Sequence, residues 1–259
     1  MGGRATAARR AFRALHAQGC FVLPNPWDVG SLRRLEELGF PALASTSAGL
    51  AWSTGLDDRA VTRDAVLDHL CTLCAATDLP VNADYESGFA DDPESVAANV
   101  ALAMETGVAG LSIEDRAGDD LYDTTLAVER IAAARTAIDA VDPQTILVGR
   151  SESFLVGRKD LGPTIDRLVA YAEAGADCLY APGFSDPDGI RAIVQAVAPR
   201  SVNVLLTAPS MRVADLAALG VRRISTGSRL AFAAWAGFDA AARMLLEDGA
   251  LPPASFTGT

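Results

Sequence analysis

Two short apolar runs end in acid: Val81-Asn82-Ala83-Asp84 and, about thirty positions later, Leu111-Ser112-Ile113-Glu114-Asp115. Carboxylates at the tips of successive strands are the hard oxygen donors that a divalent cation such as Mg2+ prefers. A parallel barrel carries its chemistry at the C-terminal ends of its strands, where side chains from different strands meet in one pocket. The pattern points to an enzyme rather than a scaffold.

The elements that would position these acids repeat along the chain. A helical stretch, often closed by glycine, is followed by a short apolar strand: Leu38-Gly39 precedes Ala42-Leu43-Ala44, and Thr106-Gly107 precedes Val108 to Ile113. Ala174-Gly175 precedes Cys178-Leu179-Tyr180, and Leu219-Gly220 precedes Val221 to Ser225; glycine just past a helix is the usual left-handed cap. Further strands fall near 21–23, 80–84, 145–149 and 202–206. Helices are expected near 29–38, 62–76, 93–106, 124–139, 162–174, 187–198, 211–219 and 229–247. Eight strand-helix units in 259 residues, with no linker between them, predict one α/β domain over 1–259, a (β/α)8 TIM barrel.

Composition excludes other classes. A net charge of −11 argues against nucleic acid and anionic membrane surfaces as partners, leaving small-molecule chemistry. Cys20, Cys71, Cys74 and Cys178 are too sparse for a disulfide framework and fit reduced thiols in a cytoplasmic protein. Residues 1–18 lack the apolar core of a signal peptide, and no stretch is long enough to span a bilayer. Cys71 and Cys74 fall inside a helical pattern without a second pair, so they are assigned to packing, and His16 and His69 lie away from the strand tips. Lys159 is the only lysine and stands about nine residues beyond the fifth strand tip. A Schiff-base mechanism, which needs a desolvated lysine in the pocket, is therefore disfavoured.

Nearly every strand delivers polar residues to the same rim: Asn25, Trp27 and Asp28; Ser45, Thr46 and Ser47; Asn82, Asp84 and Glu86; Glu114, Asp115 and Arg116. The later strands add Arg150 and Glu152, Tyr180 and Gly183, Asn203 and Thr207, then Ser225, Thr226 and Ser228. In this order the motifs resemble the isocitrate lyase and phosphoenolpyruvate mutase superfamily over almost the whole chain. Gly55-Leu56-Asp57-Asp58 matches a Gly-Leu-Pro-Asp segment, Asn82-Ala83-Asp84 an Asp-Ala-Asp triplet, Ile113-Glu114-Asp115 an Ile-Glu-Asp, and Gly149-Arg150 an Ala-Arg pair. The resemblance implies Mg2+, or Mn2+ in its place, and an enolate formed from a 2-oxo or 2-hydroxy acid. It also implies a homo-oligomer, dimer or tetramer, with the eighth helix, about 229–250, exchanged with a neighbouring subunit.

On this basis Asp84, Glu114 and Asp58 are the expected metal ligands, and Arg150, Glu114, Asp58 and Tyr122 the expected catalytic group. Arg150 offers a fixed planar cation to an enolate or carboxylate. Trp27, Ser45, Thr46, Ser47, Asn82, Arg150, Glu152 and Asn203 are expected to bind substrate. Tyr122, Asp123 and Glu152 are candidates for moving the proton. The chain departs from the family pattern in three places. Asn82 stands where many members have an acid, Arg116 to Asp123 contains neither the lyase cysteine nor the mutase lysine, and Pro182-Gly183 replaces a lyase glutamate. The expectation is a Mg2+-dependent carbon–carbon lyase for a small carboxylate or dicarboxylate. The alternatives are a phosphonopyruvate-type C–P enzyme or hydrolase of the same superfamily, and a non-catalytic 2-oxo acid binding protein.

Overall fold

A computed structural model describes residues 2–253. Its frame is eight parallel strands in the order β1 (Phe21–Leu23), β10 (Arg223–Ser225), β9 (Ser201–Leu205), β8 (Cys178–Tyr180), β7 (Ile146–Arg150), β4 (Gly110–Glu114), β3 (Val81–Asp84) and β2 (Leu43–Ala44). Helices alternate with them: α2 (Val29–Glu37), α4 (Arg63–Ala76), α5 (Pro93–Glu105), α6 (Thr124–Val141), α7 (Leu161–Glu173), α8 (Pro187–Ala196), α9 (Val213–Ala218) and α10 (Arg229–Asp248). This is the expected (β/α)8 TIM barrel.

The two outermost strands meet without a ladder. Ala44 N donates to Pro24 O at 3.0 Å, and Asn25 Nδ2 to Ser45 O at 2.8 Å. Asn25 Oδ1 in turn accepts from Thr226 N at 3.0 Å and Gly227 N at 2.9 Å, so one buried side chain joins β1 to both neighbours.

Polar side chains set where the helices start. Asp28, Thr62, Asp92 and Asp186 accept from backbone N–H groups at the first turns of α2, α4, α5 and α8, satisfying donors that the helix itself leaves open. Gly107 and Gly175 end α5 and α7 with φ of 94° and 108°, as their positions after the helices predict.

Strand side chains alternate between two cores. Leu111, Ile113, Leu147, Leu179 and Val204 face the helices, among Val96, Val100, Ile131 and Leu168. Phe21, Leu23, Ala44, Ile146, Val148, Cys178 and Tyr180 face the barrel interior. Each fully buried leucine contributes roughly 1.5–3 kcal/mol.

Three elements lie outside the eight-unit pattern. Helix α1 (Gly2–Ala17) plugs the N-terminal end of the barrel with Phe12, and Arg9 and Arg13 donate to the Val108, Met104 and Gln144 carbonyls. Short α3 (Ser47–Ser53) follows β2. A hairpin of β5 (Arg116–Ala117) and β6 (Asp120–Leu121) occupies the stretch after β4, turning at Gly118 with φ of 61°. At the other end of the chain α10 buries only Ala231, and Phe232, Phe238 and Leu246 are exposed by 59, 64 and 86%. No helix among the described residues is long and apolar enough to cross a membrane.

Candidate active site

Three strand tips converge at the C-terminal mouth. In the β4–β7 ladder Glu114 stands opposite Arg150, and Arg150 opposite Tyr180 of β8. Arg150 is the hub: Nη1 lies 3.2 Å from Asp84 Oδ1 and 3.3 Å from Glu114 Oε2, and Nε lies 2.6 Å from Glu152 Oε1. Burial alone would lower its pKa, but Glu152, Glu114 and Asp84 outweigh it and hold the guanidinium charged. The Asp84 carboxylate is fixed on its other side by Ser47, whose N–H and hydroxyl both donate to Oδ2 at 3.0 Å. Asp84 N donates to Ser45 Oγ at 2.9 Å.

Around this hub the acids are crowded. Burial, reinforced by Glu152 and Asp84 and opposed by Arg150, pushes the Glu114 carboxyl well above the usual range. Glu86 has a left-handed φ of 48°, is 8% exposed, and its Oε1 has no hydrogen-bond partner. Burial and then Asp84 push its pKa up to about 7. Asp58, on the loop before α4, is raised by partial burial and then by Asp84. Two outer arginines complete the ring. Arg59 Nη2 lies 4.0 Å from Glu114 Oε1, Arg116 Nη1 lies 3.9 Å from Glu152 Oε2, and both side chains also donate to Gly118 O.

Five carboxyl groups, of Asp58, Asp84, Glu86, Glu114 and Glu152, thus face three guanidiniums, of Arg59, Arg116 and Arg150. The donor set is hard oxygen with negative charge to spare, which fits a divalent cation. Among the described residues no three acidic, histidine or cysteine side chains are preassembled as a cage, and Arg150 stands between Asp84 and Glu114.

The strand period explains which expected residues reach this site. Asp84, Glu114, Arg150 and Glu152 meet directly, with Asp58 at the edge and Ser45 and Ser47 supporting Asp84. Not every expected substrate contact is brought to this hub. Asn82 points inward like Asp84 but two residues earlier, a layer roughly 7 Å deeper. Its Oδ1 accepts from Arg223 Nη1 at 3.2 Å, and it is 2% exposed. Asn203, also 2% exposed, is engaged by Arg223 and Ser225. Thr46 spends its hydroxyl capping Gly49 N, and Trp27 packs where Gly49 has no side chain. Tyr122 is turned away as well: its phenol donates to Asp91 and its ring lies 4.1 Å from the Arg130 guanidinium.

Asp115 lies outside the barrel wall as a strut. It accepts from Ser151 Oγ at 2.9 Å, Tyr171 Oη at 2.6 Å and Glu152 N at 2.8 Å, which places Glu152 against Arg150. Glu86, Arg116 and Tyr180 were placed at the rim without a role, and Arg59 was not among the expected residues. The signal for Glu86 was present, since Asp84-Tyr85-Glu86 repeats the acid-x-acid spacing two positions downstream and runs directly into Ser87-Gly88-Phe89.

Comparison with known proteins identifies the family. The family model described as phosphoenolpyruvate phosphomutase matches residues 12–246. A solved protein of Burkholderia cenocepacia J2315, provisionally designated a lyase/mutase, is 48% identical, with a TM-score of 0.93 over 96% of this chain and 91% of that one. The structure of 2,3-dimethylmalate lyase is 27% identical, with a TM-score of 0.86 over 99% and 92%. Oxaloacetate decarboxylase of Chromohalobacter salexigens is 29% identical over 239 residues, covering 87% of this chain and 81% of that protein.

Proposed function

Because the chain belongs to the phosphoenolpyruvate phosphomutase family, we propose that it is a lyase-type enzyme cleaving a C–C bond in a small 2-oxo or 2-hydroxy dicarboxylate through an enolate. The observation that carries this is Arg150, a largely buried guanidinium held by three carboxylates at three strand tips. When the bond breaks, its electron pair becomes the enolate, and the negative charge collects on an oxygen that a pre-positioned cation stabilises without reorganising. Arg59 and Arg116, outside Arg150 and only loosely paired at 4.0 and 3.9 Å, suit the second carboxylate of the substrate.

Asp84, Glu114, Asp58 and Glu86 would hold Mg2+ or Mn2+. Bound there, the ion would act as a Lewis acid toward the same developing charge. The non-catalytic alternative rests on Asn82 and on the missing loop cysteine and lysine; Asp84 and Glu86 offer an acid pair at the rim above Asn82, which answers the first of these and favours the enzyme. The apolar face of α10 supports a homo-oligomer.

The test is steady-state turnover of oxaloacetate, malate and alkyl-substituted malates with Mg2+. Arg150→Lys keeps the charge but loses the planar fork, so kcat should fall by about tenfold or more while KM changes less. Normal kcat with weak substrate binding would make Arg150 a ground-state anchor. Turnover of none of these acids by the native enzyme would remove the lyase assignment.

A further inference from the structure

Just past β3, five consecutive backbone carbonyls are held by two side chains. Ser87 O accepts from Arg130 Nη2, and Ala90 O and Asp91 O accept from Arg130 Nη1 at 2.5 Å each. Between them, Gly88 O and Phe89 O accept from Asn99 Nδ2 at 2.8 and 3.3 Å. The preceding carbonyl, Glu86 O, accepts from Glu114 N at 3.0 Å, which ties the same loop to the tip of β4. We propose that Arg130 on α6 and Asn99 on α5 are positioning residues, which hold the Glu86 carboxylate at the mouth as a ligand for the divalent cation.

The chemistry of the two side chains supports this role. Arg130 is 1% exposed, and its Nη groups donate to carbonyls instead of a carboxylate. Burying a cation with only neutral acceptors is costly, and an apolar side chain of similar volume would fill the same space without that cost. What the guanidinium offers in return is a planar fork whose two nitrogens reach both ends of the loop at once. The Tyr122 ring lies 4.1 Å from it, and the Tyr122 phenol donates to Asp91, closing the loop on its outer side. Asn99 is 5% exposed and its orientation is fixed. Arg63 can only donate, and its Nη1 lies 2.9 Å from Asn99 Oδ1, so the amide NH2 turns to the loop.

The loop has to be held because of its backbone. Three of the four residues from Glu86 to Phe89 are left-handed, with φ of 48° at Glu86, 78° at Gly88 and 56° at Phe89. Glycine adopts this region freely, whereas Glu and Phe do so at a cost. Asp84 and Asp58 add repulsion to the Glu86 carboxyl, so with no cation bound both the backbone and the charge favour its release. Once the loop relaxed, the carboxyl would swing out to water. Held as it is, Glu86 keeps Oε1 buried and without a hydrogen-bond partner, as a ligand awaiting a cation would be.

The inference rests on the cation site proposed above, and binding of Mn2+ to the metal-free protein separates the two. Calorimetry compares the native protein with Glu86→Gln, Asn99→Asp, Arg130→Lys, and each of the last two combined with Glu86→Gln. Glu86→Gln should weaken Mn2+ about tenfold or more, and Asn99→Asp and Arg130→Lys should do so by a similar factor, the loss typical when the group behind a metal ligand is changed. Neither effect would be one of charge. Arg130→Lys keeps the cation and loses the fork, and Asn99→Asp adds a negative charge that by itself would favour Mn2+. Asn99→Asp also keeps its size and its contact with Arg63, so it decides the matter even if Arg130→Lys fails to fold. In the Glu86→Gln background both substitutions should cost nothing further, because the side chain they act through is gone. A purely structural role would lower the melting temperature and leave Mn2+ affinity unchanged. That result, native affinity in Glu86→Gln, or losses that add in the double variants would overturn the inference and leave the cation site standing. Failure of the native protein to bind Mn2+ overturns both.

Discussion

Glu86 shows how much strain a single side chain can store at the mouth. Its carboxyl is buried beside Asp84, its backbone is left-handed, and one oxygen has no partner. With a folded pKa of about 7 against 4.5 in the open chain, it favours the fold below pH 4.5 and loses that contribution as the pH rises through 7. Glu86→Gln should therefore raise the stability of the metal-free protein at pH 8, by up to about 3 kcal/mol. The gain should disappear at pH 4 and shrink when Mg2+ is added to both proteins. Thermal melts in EDTA at the two pH values decide it, and equal melting temperatures at pH 8 would show that the carboxyl is not strained. Which charged residues stand at strand tips was legible in the sequence, as Asp84, Glu114 and Arg150 demonstrate. Their depth was not: Asn82 and Asp84 share a face and differ only in layer, which depends on where the strand enters the barrel. The hydrogen-bond traffic through Asn203 was equally hidden, since it follows from Arg223, a residue 20 positions away.

At the scale of elements, the alternating units were readable because the strands are short and apolar and the helices of the barrel start at an acid, serine or threonine, except α9, which starts at Arg212. Helix α1 has no place in the eight-unit pattern, and much of its attachment comes from Arg9 and Arg13 gripping backbone carbonyls, which leaves no mark on a hydropathy pattern. The β5–β6 hairpin escaped because its strands are two residues each and its tip is polar. Helix α10 carries the element-scale prediction. Phe232, Trp235 and Phe238 are exposed on a helix that buries one residue against its own chain, and each aromatic side chain covered by a partner would contribute roughly 1.5–3 kcal/mol. The native protein should be oligomeric at micromolar concentration by light scattering, and Phe238→Arg should shift it toward monomer. A native monomer would rule out association through this face.

For the molecule as a whole, the barrel is a closed ring with one weak join. Neighbouring strands elsewhere are laddered, but β1 meets β2 through one backbone hydrogen bond and the Asn25 side chain. Asn25→Ala would leave the half-buried N–H groups of Thr226 and Gly227 without this acceptor, costing about 1 kcal/mol each, and should lower the melting temperature by several degrees. An unchanged melting temperature would show that the join holds without it.

From that join Asn25 also reaches Gly227, 202 residues along the chain. Loop-closure entropy must be met before such a contact returns anything, so the β1 edge is the natural last step of folding and the first place for the wall to open. In hydrogen exchange the amides of Ala44, Thr226 and Gly227 should then lose protection ahead of those in the β4–β7 ladder, giving the barrel a hinge line on the side away from Arg150.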